Sequence, residues 1–194
     1  MRGSTHFFFM LIDRRAAVHE LWNETQLGAA EVAGAVWLMD RAGGFPVTRR
    51  TLQAAAWVGY KAYATAAYEK LDDFAAVVYV GDDEQPVRLE PGVKEEEMRL
   101  LEAVGFGLPA VRTRLDHVYE VAQGQDLATP ELDCAMVMSL LRPEVCKAMT
   151  LEQFSRCVVF AAAYLTGKVV TGLGTKDVSN EYIFHNGLQI GKAA

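Results

Sequence analysis

The chain has 194 residues, of which 51% are hydrophobic, and its formal net charge at pH 7 is -6. A chain of this length can bury one sizeable core, or two small helical cores that share an interface. The acidic balance, with a pI near 5.3 and no clustered basic stripe, argues against direct nucleic-acid binding, because phosphate recognition depends on grouped lysines and arginines.

Cysteine usage and hydropathy indicate where the protein resides. Three cysteines, Cys134, Cys146 and Cys157, form an odd set whose spacing fits neither zinc ligation nor a disulfide framework, which favours a reducing compartment. The apolar run at 7–12 is too short for a signal segment or a membrane span, and Asp13 follows it at once. We therefore expect an intracellular protein, in the nucleus, the cytoplasm or both, with no membrane partner.

Apolar residues recur at intervals of three and four along the chain, which predicts an all-α fold. In chain order, the pattern predicts helices at 11–26, 29–42, 48–70, 93–104, 113–123, 130–142, 150–166 and 177–190. Thr129-Pro130 and Thr150 indicate the N-terminal ends of two later helices. The run 75–80 suits either a short strand or a helix. The Ala-rich segment 51–68 predicts a helix that other helices surround closely, at the centre of a bundle.

Four predicted helices each carry one charged residue on an otherwise apolar face. Each of these charges lies at helical spacing from the apolar residues of its own predicted helix. In chain order they are Arg15, Asp40, Lys61 and Glu97. A buried charge without a partner is costly, so each needs an opposite charge, a backbone group or water. Two interpretations stay open. The charges either tie helices together within one domain, or at least one pair lies at the edge of the bundle and binds a partner.

Four segments containing these charges resemble the cyclin box, the five-helix unit of the cyclins. They are RRAAVHELW (14–22), AVWLMDRAGG (35–44), AAAWVGYKAY (54–63) and EMRLLEAVGFGL (97–108), in the order and at nearly the spacings of that family. Later segments resemble the first three helices of a second, shorter box. The resemblance implies an all-α protein with a cyclin-like five-helix bundle at 11–110, followed by an abbreviated cyclin-like helical repeat at 111–194.

The resemblance also implies roles for individual residues. The signature arginine and aspartate of cyclins form an internal ion pair, so Arg15 and Asp40 are expected to be structural. The signature lysine and glutamate contact the kinase, which makes Lys61 and Glu97 the predicted kinase-binding residues. The positions expected to supply apolar contacts beside them are Val58, Ala62, Met98, Leu101, Phe106 and Leu108.

The implied function is that of a regulatory subunit that binds and activates a cyclin-dependent serine/threonine protein kinase in cell-cycle or transcription control. We expect no enzymatic activity, metal or cofactor, because the histidines lack metal-ligand spacing and no phosphate-binding loop or nucleophile motif is present. The alternative is a cyclin-fold transcription factor or scaffold similar to transcription factor IIB. Those proteins are usually basic on the face that binds DNA, whereas this chain is acidic.

Overall fold

The computed structural model describes residues 11–79 and 85–173. These residues form α-helices and no strand, with an isolated antiparallel bridge between Ile12 and Val47, so the predicted all-α class is confirmed. The helices are α1 (Arg14–Asn23), α2 (Ala29–Ala42), α3 (Arg49–Tyr63), α4 (Leu71–Val77), α5 (Val93–Ala103), α6 (Val111–Val121), α7 (Thr129–Ser139), α8 (Pro143–Lys147) and α9 (Leu151–Leu165). Residues 75–77 of the ambiguous run belong to α4. The predicted helix at 177–190 lies outside the described residues.

Side chains that accept backbone hydrogen bonds fix where several helices begin. Asp13 Oδ1 accepts from the amide of the third residue of α1 at 2.8 Å. At α9, Thr150 Oγ1 accepts from Gln153 N at 3.2 Å, while Gln153 Oε1 accepts from Thr150 N at 2.9 Å. This reciprocal pair is a capping box and confirms the predicted start of the helix. At α7 the N-cap is Ala128, one residue before the predicted Thr129.

α2 and α3 form the centre of the front half, which we define as residues 11–110. Every residue of α3 from Thr51 to Tyr60 is buried, and the helix packs against both α2 and α5. A glycine permits the close approach, since a Cβ at Gly59 would lie 2.4 Å from the carbonyl oxygen of Glu31 on α2. α3 is therefore the enclosed central helix that the Ala-rich segment predicts.

The third helix is shorter than predicted, because it ends at Tyr63 rather than near residue 70. The hydroxyl of Tyr60 donates to the carbonyl of Ala66 at 3.1 Å and accepts from the amide of Tyr68 at 3.0 Å, which holds the following segment in a turn. Arg112 Nε donates to the carbonyl of Tyr63 at 2.8 Å and so satisfies a helix-terminal acceptor. Both contacts depend on tertiary structure, which helical periodicity does not report.

α6, α7 and α9 form the rear half, which we define as residues 111–173. α9 packs against both α6 and α7, and α2 of the front half contacts α6 and α7 as well. The two halves are defined by the predicted boundary between 11–110 and 111–194. The packing of α2 against helices of both halves joins them. The division into two cyclin-like units stays a prediction. Among the described residues, no helix is both long and apolar enough to cross a membrane.

Candidate partner-binding surface

Asp40 forms its ion pair with Arg14 and not with Arg15, so the predicted Arg15–Asp40 pair is wrong by one residue. Arg14 Nη1 lies 3.0 Å from Asp40 Oδ2, and its Nη2 contacts the other carboxylate oxygen. The buried face of α1 includes Ala17, Val18 and Leu21. Arg14 precedes these by three, four and seven residues and shares their face, whereas Arg15 is rotated away and exposed.

Another charge lies on the buried side of α1 and was missed by the sequence analysis. Glu20 is buried, with Arg49 Nη1 2.8 Å from its Oε1 and the hydroxyl of Tyr79 donating to the same oxygen. Burial and the adjacent carboxylate raise the pKa of Tyr79, so its phenol stays protonated and remains a donor. The only sequence signal was a glutamate three residues after Ala17, which also suits a solvated helix face.

Lys61 and Glu97 form an ion pair that joins the last turn of α3 to α5. The ammonium of Lys61 also lies 4.7 Å from the centroid of the Trp57 ring, whose face attracts a cation. The lysine side chain is 37% exposed and the glutamate side chain 12%. The pair therefore lies at the edge of the bundle, where both charges are satisfied yet can be reached from solvent.

A second contact from the same acidic run fixes α5 along α3. Glu96 accepts from the hydroxyl of Thr51 at 2.7 Å, and Arg99 Nη2 lies 2.6 Å from the same oxygen. The hydrogen bond from Arg99 is the largest of the effects that lower the pKa of Glu96, so the carboxylate is charged at neutral pH. Glu96 and Glu97 thus bind α3 near its first and its last turn, and they set the position of the exposed side of α5.

Apolar side chains are exposed at several of the predicted contact positions on α3, on α5 and just after α5. Met98 is 47% exposed, Phe106 59% and Leu108 37%, Ala62 is exposed and Leu101 is half-buried. Val58, in contrast, is only 4% exposed and belongs to the core, so it is not part of the exposed surface. We call the set Lys61, Ala62, Glu97, Met98, Leu101, Phe106 and Leu108 the α3–α5 surface.

The backbone holds Phe106 in an unusual conformation. Its φ is 58°, in the left-handed region that side chains other than glycine rarely adopt, and it follows Gly105 at φ 61°. The amide of Phe106 donates to the carbonyl of Leu101 at 2.8 Å, which closes the end of α5. A large aromatic ring is thus placed at the surface in a conformation that costs about 1 kcal/mol or more.

Metal-ligating side chains and thiols are two further kinds of possible functional group. Within 11–79 and 85–173, no three His, Cys, Asp or Glu side chains lie together in an arrangement that could hold a metal ion. Burial raises the pKa values of all three cysteine thiols, that of Cys157 to about 11, so they remain protonated at neutral pH and are weak nucleophiles. The three cysteines are free thiols and form no disulfide.

Comparison of the sequence with protein-family models gave no match, and comparisons with curated proteins and with solved structures gave none either.

Proposed function

We propose that this chain is a cyclin-type regulatory subunit that binds a cyclin-dependent serine/threonine protein kinase and activates it. The observation that carries the proposal is the α3–α5 surface, which combines an ion pair at the edge of the bundle with exposed apolar side chains on α5 and just after it. The predicted kinase-binding positions Lys61 and Glu97 meet there, although they are 36 residues apart in the chain. The all-helical fold also fits a cyclin-like bundle.

The ion pair has hydrogen-bonding capacity left for a partner. A lysine ammonium carries three donors and a carboxylate has two oxygens, so one mutual contact does not saturate either group. Lys61 can donate to a backbone carbonyl of the kinase while Glu97 accepts from a backbone amide. Because the two charges already satisfy each other, the free protein pays little desolvation cost to keep them at the surface.

The apolar residues of the α3–α5 surface would supply the apolar surface area that becomes buried when the kinase binds. Interfaces usually have a few large anchors surrounded by contacts that exclude water, and aromatic residues are enriched among those anchors. Phe106 has the size, exposure and fixed backbone of such an anchor, and Met98 and Leu108 are further exposed apolar residues of the α3–α5 surface. Activation then follows by population shift, if the surface fits only the kinase conformation in which the catalytic lysine–glutamate pair is made.

The double variant Lys61→Ala with Glu97→Ala tests the proposal, because it removes both charges and leaves neither one unpaired. We expect a folded protein whose affinity for the cognate kinase falls by about tenfold or more, with kinase activation lost at concentrations where the parent protein activates. Affinity is measured by calorimetry and activation by phosphate transfer to a peptide substrate. The kinase is first identified by affinity purification of the chain from cells.

A matched control removes an ion pair elsewhere. Glu152 and Arg156 on α9 form a pair at 2.7 Å, with side chains 49% and 27% exposed. Glu152→Ala with Arg156→Ala should leave kinase affinity unchanged. Unchanged activation by the folded Lys61/Glu97 variant contradicts the proposal. Purification of polymerase or promoter factors in place of a kinase favours instead the scaffold similar to transcription factor IIB.

A further inference from the structure

A pocket of about 880 Å³ lies between the front and rear halves. Its walls are largely apolar and come from α2, α6, α7 and α9, with Val36, Val111, Met136, Leu140 and Phe154 among them. This volume lies within the range of roughly 300–1,000 Å³ typical of small-molecule sites. The pocket is separate from the α3–α5 surface, since none of the residues that define that surface lines it.

The charges around the pocket are opposite in sign to the net charge of the chain. The pocket is lined by four cationic side chains and one carboxylate, that of Asp40. The cations are Arg14, Arg41, Arg114 and Lys147. Arg14 is paired with Asp40, but in the part of the chain that the structure describes no ion pair involves the other three cations. A protein with a net charge of -6 thus concentrates positive charge at one apolar cavity.

Aromatic rings hold two of these cations at the wall. The guanidinium carbon of Arg41 lies 5.7 Å from the centroid of the Trp37 ring, and that of Arg114 lies 5.8 Å from the centroid of the Phe154 ring. An aromatic face supports a guanidinium group without using its N–H donors, which remain free for a planar anion. Arg41, Arg114 and Lys147 are themselves exposed, so the charge lies at the mouth and the apolar walls lie within.

We propose that this pocket binds a small carboxylate ligand with an apolar body, such as a fatty acid. The apolar part fills the cavity between α2, α7 and α9, while the carboxylate lies at the mouth and accepts hydrogen bonds from Arg114 and Lys147. Hydrogen bonds between charged groups are about twice as strong as neutral ones, so the head group determines selectivity. The inference is independent of the proposed kinase partner.

The test compares three ligands that share one chain and differ in head group. Binding of dodecanoate, dodecanol and dodecylammonium to the full-length protein is measured by calorimetry. We expect dodecanoate to bind at least about tenfold more tightly than dodecanol, the effect of one charge-assisted contact, and dodecylammonium to bind more weakly still. Equal affinity for the acid and the alcohol, or no binding of dodecanoate, overturns the proposal.

Variants then locate the contact. Arg114→Gln with Lys147→Gln should reduce dodecanoate affinity by about tenfold or more and leave dodecanol affinity nearly unchanged. Arg88→Gln with Lys94→Gln makes the same change in net charge away from the pocket, and it should leave both affinities as they are. An equal loss of dodecanoate affinity in the two double variants would mean that net charge, and not the pocket, attracts the ligand, and the proposal fails.

Tryptophan fluorescence gives an independent readout of position. Trp37 lines the pocket, whereas Trp22 does not. The fluorescence change on adding dodecanoate should disappear in Trp37→Phe and persist in Trp22→Phe. A change that persists unaltered in Trp37→Phe places the ligand elsewhere and refutes the assignment.

Discussion

Phe106 combines two properties that are each unfavourable for a free protein. Its ring is 59% exposed, and its φ of 58° lies where glycine is the usual residue. Neither property improves the packing of the described core. Strained residues of this kind cluster at functional sites, where the surrounding structure maintains them. At this position the strain directs a large apolar group outward, which suits contact with a partner.

Replacing Phe106 by glycine should separate stability from partner binding. Phe106→Gly relieves the left-handed strain, so we expect its free energy of unfolding to stay equal or rise by up to about 1 kcal/mol. Under the proposed function, affinity for the kinase should fall by tenfold or more. Urea denaturation followed by circular dichroism measures the first quantity, and calorimetry with the kinase the second. Val169→Gly, at another exposed apolar residue, is the control and should not change kinase affinity. A marked loss of stability in Phe106→Gly would instead show that the ring serves the fold.

At the same scale, the sequence predicts the helix faces of the four charges better than it predicts their partners. Periodicity placed Asp40, Lys61 and Glu97 on helix faces that contact other helices, because those helices are regular. It failed at Arg15, because the face of α1 that is buried depends on how the helix packs against the rest of the bundle. Arg14, and not Arg15, lies on that face and pairs with Asp40. Glu20 was missed because its partners come from α3 and from the segment that follows α4.

At the scale of the elements, the approach of α2 and α3 determines the front half. The two helices meet where Gly59 faces the backbone of Glu31 and Gly34 faces the ring of Tyr63. A Cβ contact below 3.0 Å with backbone cannot be relieved by a side-chain rotation, so the helices would have to move apart. Helix propensity favours alanine over glycine at such sites by roughly 1 kcal/mol, and packing must therefore explain why glycine is tolerated.

Gly59→Ala should accordingly destabilise the protein even though it increases helix propensity. The new Cβ would lie 2.4 Å from the Glu31 carbonyl, and we expect a net loss of about 1–3 kcal/mol in the free energy of unfolding. Gly107→Ala is the control, because the nearest atom to its Cβ is 3.6 Å away, and it should change stability by less than about 0.5 kcal/mol. Urea denaturation of both variants provides the measurement, and a neutral or stabilised Gly59→Ala would contradict the close packing.

The extent of the helices was less predictable than their existence. Long amphipathic patterns located five helices to within a few residues: α2, α5, α6, α7 and α9. In these helices the burial of one apolar face is the main determinant of the sequence pattern. The end of α3 was overestimated, since Ala-rich sequence after Tyr63 keeps a high helix propensity. Hydrogen bonds from Tyr60 and Arg112 override that propensity, and neither can be read from local sequence.

At the scale of the whole molecule, a few polar contacts hold the front and rear halves together, in addition to the packing of α2 against both. Arg112 donates to the carbonyl of Tyr63 across the boundary, and Arg14 Nη1 donates to the carbonyl of Leu140 at 3.3 Å. The hydroxyl of Tyr63 donates to the carbonyl of Pro109 at 2.8 Å, which ties the end of α3 to the segment that enters the rear half. Because Tyr63 belongs to the core and α2 packs against helices of both halves, we expect the halves to unfold together.

Tyr63 makes this connection sensitive to alkaline pH. Burial raises the pKa of its phenol from 10.0 to about 12, since the charged form is poorly solvated in the folded state. A proton that the unfolded chain releases near pH 10 is thus retained by the folded chain. The stabilisation from Tyr63 is therefore fully present below pH 10 and is lost as the pH rises through about 12.

Tyr63→Phe isolates this effect, because phenylalanine keeps the ring against Gly34 and cannot ionise. Below pH 10 the variant should be less stable than the parent by about 0.5–1.5 kcal/mol, the contribution of one hydrogen bond. As the pH rises from 10 towards about 12, the parent loses its advantage, so the difference should shrink and then change sign, because a shift from 10.0 to about 12 outweighs one hydrogen bond. Urea midpoints across that range give the measurement, with Tyr68→Phe, at a phenol that is 43% exposed, as the control. A difference that stayed constant over the whole range would mean that the Tyr63 phenol is not held neutral by the fold.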